Sequence, residues 1–470
     1  SKVAELLDSF TSEGQEGPTR EGLLDAMNAI ATADPDWAVK LATQLLRANH
    51  NKNDTWYTLL MSIPVDGLDP RSLGRLCRIL PGVPREADLL VSVLRSAEEL
   101  LQSRYNELSA NSVRSLLKLS DSIWEGLPRT SPAQSGQEDW AHKSLEHPAG
   151  RVARMWLAAL QGRQVAGGGR ISGIPMMYRR RFERVLESED CSSEVARVVI
   201  GEKAAWLYDI DNDWGERKLV PVFSWSRDAD RADQVWSGYL GPPRFSMRLA
   251  IALERHYFES VAHYHNAGKE LPSRLVEHLA VRAFLEKDPV ASGYLDHVVS
   301  NMPESAMKTW TRFLSLRLKG LPENGRQSTW NRWLRDYLQS RASNGGSTVG
   351  PQEYTEIANM VEHLVCVFPE FVEVITQIDS KLADHLPFWH LRKSNLSGQS
   401  PSDILRLYRH LLVGCESPDS HSFSEIVHHI EEMPATDLPR TELEGVVNEL
   451  LRLGVRAAVP LVERITLATE

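Results

Sequence analysis

An all-α fold, built as an irregular α-solenoid of HEAT-like stacked helix pairs, is what the sequence predicts, and three observations carry it. Apolar residues recur at three- and four-residue spacing along nearly the whole chain. Short start signals, an aspartate or a proline before an apolar run, separate these stripes. Alternating apolar and polar runs are rare, and no Asn-Gly or Asp-Gly turn joins two of them.

Taken in order, Leu23, Leu24, Met27 and Ile30 form one stripe, and Trp37, Leu41, Leu45 and Leu46 the next. Trp56, Leu59 and Leu60 open a third; Leu73, Leu76 and Leu80, then Leu89, Leu90, Val93 and Leu94, continue the series. Asp34-Pro35-Asp36, Asp54-Thr55, Asp69-Pro70 and Pro84-Arg85-Glu86 precede these runs. A carboxylate or a first-turn proline there satisfies or removes the free N–H donors of a new helix. Connections this short make neighbouring helices antiparallel. A long chain of such pairs buries its stripes by stacking one pair on the next. No strict repeat of ~30–47 residues is present, so the array is expected to be irregular. The run Leu219-Val220-Pro221-Val222-Phe223 is the best strand candidate, and Pro221 weakens it.

The 470 residues allow several domains at ~100–200 residues each. Three polar or Gly-rich stretches, 126–138, 164–173 and 342–350, read as loops. The expected units are N-terminal helical repeats over 1–125, a central Trp-rich region over 139–340 and C-terminal helical repeats over 351–470. Apolar residues at 42% and charged residues at 25% exclude wholesale disorder. A net charge of −10 argues against a non-specific nucleic-acid binder. Cys77, Cys191, Cys366 and Cys415 are far apart and form no CxxC pair, as expected of buried thiols in a reducing cytoplasm. No stretch approaches the ~20 apolar residues of a membrane-spanning helix, so no membrane partner is expected. The start, SKVAELLDSF, has no signal-peptide pattern and no initiator Met. We therefore expect a piece of a longer protein, cut upstream.

Several patterns hint at chemistry and stop short of it. Gly167-Gly168-Gly169 lacks the Lys-Ser/Thr pair of a phosphate loop and reads as a flexible loop. Asp209, Asp211 and Asp213 alternate as in half an EF-hand, but Trp214 and Val220 stand where its Gly and Glu are needed; a helix-capping turn is the default. His256 and His263 are two helical turns apart, ~10 Å of rise, too long for one metal ion; with His265 they read as ordinary histidines, as does His428-His429. No GxSxG elbow appears. No catalytic residue, metal or cofactor is therefore assigned to this chain.

Arg179, Arg180, Arg181 and Arg184 form the densest basic run, interleaved with Tyr178 and Phe182. Such a mixture suits a nucleic-acid groove or a contact with an acidic protein. The favoured reading is a solvated helix start, partly paired with Glu183, Glu187 and Glu189. Thirteen tryptophans are present, and Trp206, Trp214, Trp225 and Trp236 follow at short intervals. Such rings anchor helix packing and also mark binding hot spots.

Two stretches carry a more specific pattern. One is WAHKSLEHPAGRVARMWLAAL, with His147-Pro148-Ala149-Gly150 before Trp156. The other is WGERKLVPVFSWSRDADRADQVWSGYLGPPR, downstream of Trp206, with Pro221, Trp225, Trp236, Gly238 and Arg244. Together they resemble the helical C-terminal region of bacterial sirtuin-like proteins linked to anti-phage defence. The resemblance spans roughly the first 260 residues. It implies that His147, Trp156, Trp206, Pro221, Trp225, Trp236 and Arg244 are structural anchors of a non-catalytic sensor or scaffold. It also implies a protein partner, a phage structural protein among the candidates, and an attached N-terminal effector domain that degrades NAD. The sequence itself shows neither βαβ alternation nor a dinucleotide fingerprint. The alternative is a nucleic-acid-binding helical module centred on residues 179–184.

Overall fold

Side-chain caps start many of the helices. Asp34 accepts the N–H of Trp37 before the helix Pro35–Arg47, and Asp69 that of Ser72 before Pro70–Ile79, each followed by a first-turn proline. Asp54 lies inside the first turn of its helix rather than capping it; its carboxylate holds the Arg20 guanidinium at 2.5 and 2.7 Å. The computed structural model describes residues 5–7, 19–129, 139–169, 173–343, 349–380, 400–413, 415, 420–434 and 437–466. Among these residues all regular structure is helical, with no β-strand. The expected joints at 126–138 and 342–350 fall largely outside them, as do Arg170 and Ile171.

Residue contacts group the chain into two units, Ser1–His256 and Tyr257–Glu470. In the first unit the helices are α1 (Arg20–Ala33), α2 (Pro35–Arg47), α3 (Asn53–Ser62), α4 (Pro70–Ile79), α5 (Ala87–Ser103) and α6 (Ala110–Gly126). They continue with α7 (Trp140–Glu146), α8 (Pro148–Ala166), α9 (Met176–Glu187), α10 (Cys191–Glu202), α11 (Ala204–Ile210), α12 (Ala229–Leu240) and α13 (Met247–Ala252). Beyond contacts between adjacent helices, the main row links helices further apart in sequence: α1 lies on α3, α3 on α5, α5 on α8, α8 on α10 and α10 on α12. A second row runs α2, α4, α6, the last also touching α8.

Two small residues set the tightest crossing, between α10 and α12. A methyl at Gly238 would stand 1.9 Å from the Val198 carbonyl oxygen, and one at Gly201 2.4 Å from that of Val235. The triple glycine ends α8. The amide of Gly169 bonds the Gln164 carbonyl and that of Gly168 the Val165 carbonyl, with Gly168 left-handed at φ 70°.

Tryptophans form much of the core, and several of their indole N–H groups find oxygens, though that of the buried Trp333 has no partner among the described residues. Trp156 donates to Ser120 Oγ at 2.9 Å and packs on Trp124, ring centroids 5.2 Å apart. Trp236 donates to the Phe223 carbonyl at 3.0 Å. Burying one such ring removes roughly 150–250 Å² of apolar surface, about 4–6 kcal/mol as an upper bound.

In the second unit the helices are α14 (Glu254–Asn266, in which the division falls), α15 (Ser273–Leu285), α16 (Tyr294–Asn301), α17 (Glu304–Lys319), α18 (Glu323–Thr329) and α19 (Arg335–Ser343). Then come α20 (Pro351–Asn359), α21 (Phe368–Ile375), α22 (Pro401–Val413), α23 (Ser420–Glu432), α24 (Arg440–Arg452) and α25 (Leu461–Ile465). Here α15 packs on α17 and α17 on α20, while α19 meets α21, α21 meets α22 and α22 meets α24. One device recurs at a separation of 21 residues. Tyr257 and His278 share a buried hydrogen bond at 2.9 Å, Tyr408 and His429 another at 2.5 Å. The fully buried Arg341–Glu353 pair, at 2.7 Å, ties α19 to α20.

Candidate functional site

The strand candidate at 219–223 is helical, and this shapes the surface beside α9. Residues Gly215–Leu219 form a π-turn, closed by the amide of Val220 on the Gly215 carbonyl, and Val220–Phe223 a 3₁₀ turn. Pro221 has no N–H to give to the carbonyl four residues back, and its ring crowds that carbonyl. The turn widens there instead of continuing as an α-helix. Leu219, Val220 and Phe223 are buried, the spacing of a helical face and not the alternation of a strand.

The four arginines of α9 part company. Arg179 bonds Asp211 at 2.5 Å. Arg181 forms a two-pronged pair with Asp121, at 2.8 and 2.6 Å. Arg180 and Arg184, one turn apart, stay exposed. Of the three carboxylates expected to pair with this run, Glu183 accepts the Trp214 indole N–H and Glu187 accepts from Lys218, while Glu189 meets Arg231 at 3.5 Å.

The acidic triplet likewise divides. Asp211 is buried and caps Trp214, whereas Asp209 and Asp213 are exposed. Among the described residues no group of three or more His, Cys, Asp or Glu is placed to hold a metal ion. His256, His263 and His265 lie along α14, and His428 is exposed beside the buried His429. The four cysteines are free thiols, and burial pushes that of Cys77 up to about 11. No helix of the described residues is long and apolar enough to cross a membrane.

The residues of the two patterned stretches cap and pack. His147 accepts the Ala149 amide at 3.1 Å and begins α8; burial lowers its pKa. A methyl on Gly150 would stand 2.0 Å from the Ser144 carbonyl oxygen. Trp206 is half-buried and donates to Gln164 Oε1 at 3.0 Å. Trp156, Trp225 and Trp236 are buried. Arg244 is exposed; its charge adds to the burial that lowers the pKa of Lys203.

Two clefts flank the C-terminal end of α9. The larger, about 480 Å³, is lined by Trp124, Arg129, Arg184, Ser188, Asp190 and Ser192, among others. Burial pushes the Asp190 carboxyl up, but bonds from Ser188 and Ser193 and the nearby Arg197 outweigh it and hold it below its usual range. Arg197 is buried beneath, donating to Gln234, Val185 O and Ser188 O; burial lowers it to about 10, still charged at neutral pH. The smaller cleft, about 180 Å³, brings Arg217, Lys218, Arg227 and Arg231 around Pro221. Sequence reasoning singled out Arg184 and Pro221 but not Arg129, Arg217, Arg227 or Arg231. The last three are scattered over fifteen residues, and only the widened turn gathers them.

No curated protein matches the chain. Among solved structures, the crystal structure of an engineered protein from the Northeast Structural Genomics Consortium aligns over 99% of both chains, at 12% identity and a TM-score of 0.32. Residues 288–452, all within the second unit and including none of the residues that line either cleft, match the family described as "Domain of unknown function (DUF4020)".

Proposed function

We propose that this chain is a non-catalytic α-solenoid, HEAT-like in its stacking, that binds a protein ligand and restrains or releases an attached NAD-degrading effector in a cytoplasmic anti-phage system. The observation that carries the scaffold part is the packing of the first unit, where α1, α3, α5, α8, α10 and α12 follow one another in one row and α2, α4 and α6 in a second. Rows of this kind expose long continuous helix surfaces, which suit a macromolecular ligand better than a small one. The defence part is supported by the patterned stretches around His147 and Trp236. Their residues begin and lock helices, as anchors of a sensor scaffold would.

Sensing requires that the ligand bind one arrangement of the array more tightly than another; ~5.5 kcal/mol of difference swings a two-state switch almost completely. The test is co-elution of the full-length protein with purified phage structural proteins, followed by NAD consumption with and without each one. Absence of co-elution with every candidate, or NAD consumption indifferent to a bound one, removes the reading. The nucleic-acid alternative has lost two of its four arginines to internal ion pairs.

A further inference from the structure

We propose that the cleft formed by the π-turn of residues 215–219 and the start of α12 receives a carboxylate-bearing segment of a protein partner. The inference rests on the protein-binding reading and names the chemistry of one contact.

Four cationic side chains line this cleft, and two are already neutralised. Lys218 is held by Glu187 at 2.6 Å, and Arg231 by Asp228 at 3.0 Å. Among the described residues Arg217 has only a main-chain acceptor, the Asp213 carbonyl at 2.9 Å. The Arg227 side chain has no hydrogen bond or ion pair among the described residues. Two exposed guanidiniums with unused donors thus open onto one recess. A planar fork of donors matches a carboxylate in two-pronged geometry.

The rest of the lining selects the occupant. Leu186, Pro221 and Val222 supply an apolar floor that suits the methylenes of an aspartyl or glutamyl side chain and an apolar neighbour. At about 180 Å³ the recess is smaller than the ~300–1,000 Å³ of ordinary cofactor pockets, so it admits a side chain and not a nucleotide. Glu187 and Asp228 line it, Glu189 stands 3.5 Å from its Arg231, and the chain carries a net charge of −10. A continuous polyphosphate backbone would meet those carboxylates at every step, whereas an isolated acidic side chain avoids them.

One exposed ion pair contributes little by itself. The contact therefore needs both arginines, and charge reversal at both should abolish it. The probe is a fluorescein-labelled twelve-residue peptide of repeating Asp-Asp-Leu, titrated into the full chain at low salt. Its Asn-Asn-Leu counterpart and a twelve-nucleotide thymidine strand are the comparisons. We expect the acidic peptide alone to bind. Arg217→Glu with Arg227→Glu should weaken it at least tenfold at unchanged thermal midpoint, while Arg180→Glu with Arg184→Glu leaves it intact. Equal binding by the Arg217/Arg227 variant, tighter binding of the oligonucleotide, or no peptide binding at low salt overturns the assignment. Partner co-elution that survives the Arg217/Arg227 reversal also overturns it, yet leaves the scaffold reading standing. A wild-type chain that binds the peptide but no candidate partner has the opposite meaning.

Discussion

Asp211 and Arg179 meet at 2.5 Å in the wall of the first unit, and the carboxylate does more than pair. Its second oxygen accepts the Trp214 amide at 3.2 Å, and the oxygen facing Arg179 also accepts the Ile174 amide at 2.8 Å. One residue of the acidic triplet and one of the arginine run therefore cancel each other, and in doing so start the turn that leads into the smaller cleft.

Removing that carboxylate should be costly. Asp211→Ala strands two amides and a half-buried guanidinium, so urea unfolding is expected to show a loss of about 2–4 kcal/mol. Asp213→Ala, on the exposed neighbour, should stay within about 0.5 kcal/mol. Equal losses at the two positions would sink the assignment of Asp211 as the structural member.

The same contrast applies along α9. Arg181→Ala breaks the two-pronged pair with Asp121 and is expected to cost about 1–2 kcal/mol. Arg180→Ala, beside it and exposed, should be silent in thermal melts.

Gly238→Ala places a methyl against the Val198 carbonyl, where backbone cannot give way cheaply. The expected loss is about 2 kcal/mol or more. Gly168→Ala meets open space and bears only the strain of a left-handed backbone, about 1 kcal/mol. Denaturant midpoints of the two variants should rank in that order.

His278 gives the second unit an acid sensitivity. Burial, with the charges of Arg274 and Arg317, pushes its imidazole down to about 4. Between pH 6.5 and 4 the unfolded chain therefore binds a proton that the folded chain does not. Its contribution is intact above about pH 6.5 and declines toward pH 4, by roughly 3 kcal/mol in all. Urea titrations at pH 7, 6 and 5 should show a steeper decline for the wild type than for His278→Gln. Parallel declines would refute the linkage.

How much was legible in the sequence depended on how local the cause was. Asp34-Pro35 and Asp69-Pro70 announce helix starts because a cap acts over three residues. The glycines at 167–169 were legible as a break but not as an ordered helix end, since that ending depends on main-chain bonds from Gly168 and Gly169 back into α8. Residues 219–223 misled as a strand candidate, because apolar content alone does not say whether burial follows a period of two or of three to four.

Composition and periodicity, then, determined that this chain is helical, since capping and apolar spacing act within a turn or two. Which arginines remain available was decided only by tertiary structure. Asp121 lies 60 residues from Arg181, and Asp211 lies 32 from Arg179. Ion pairs form between groups that packing brings within a few ångströms, and no spacing along the chain encodes that distance.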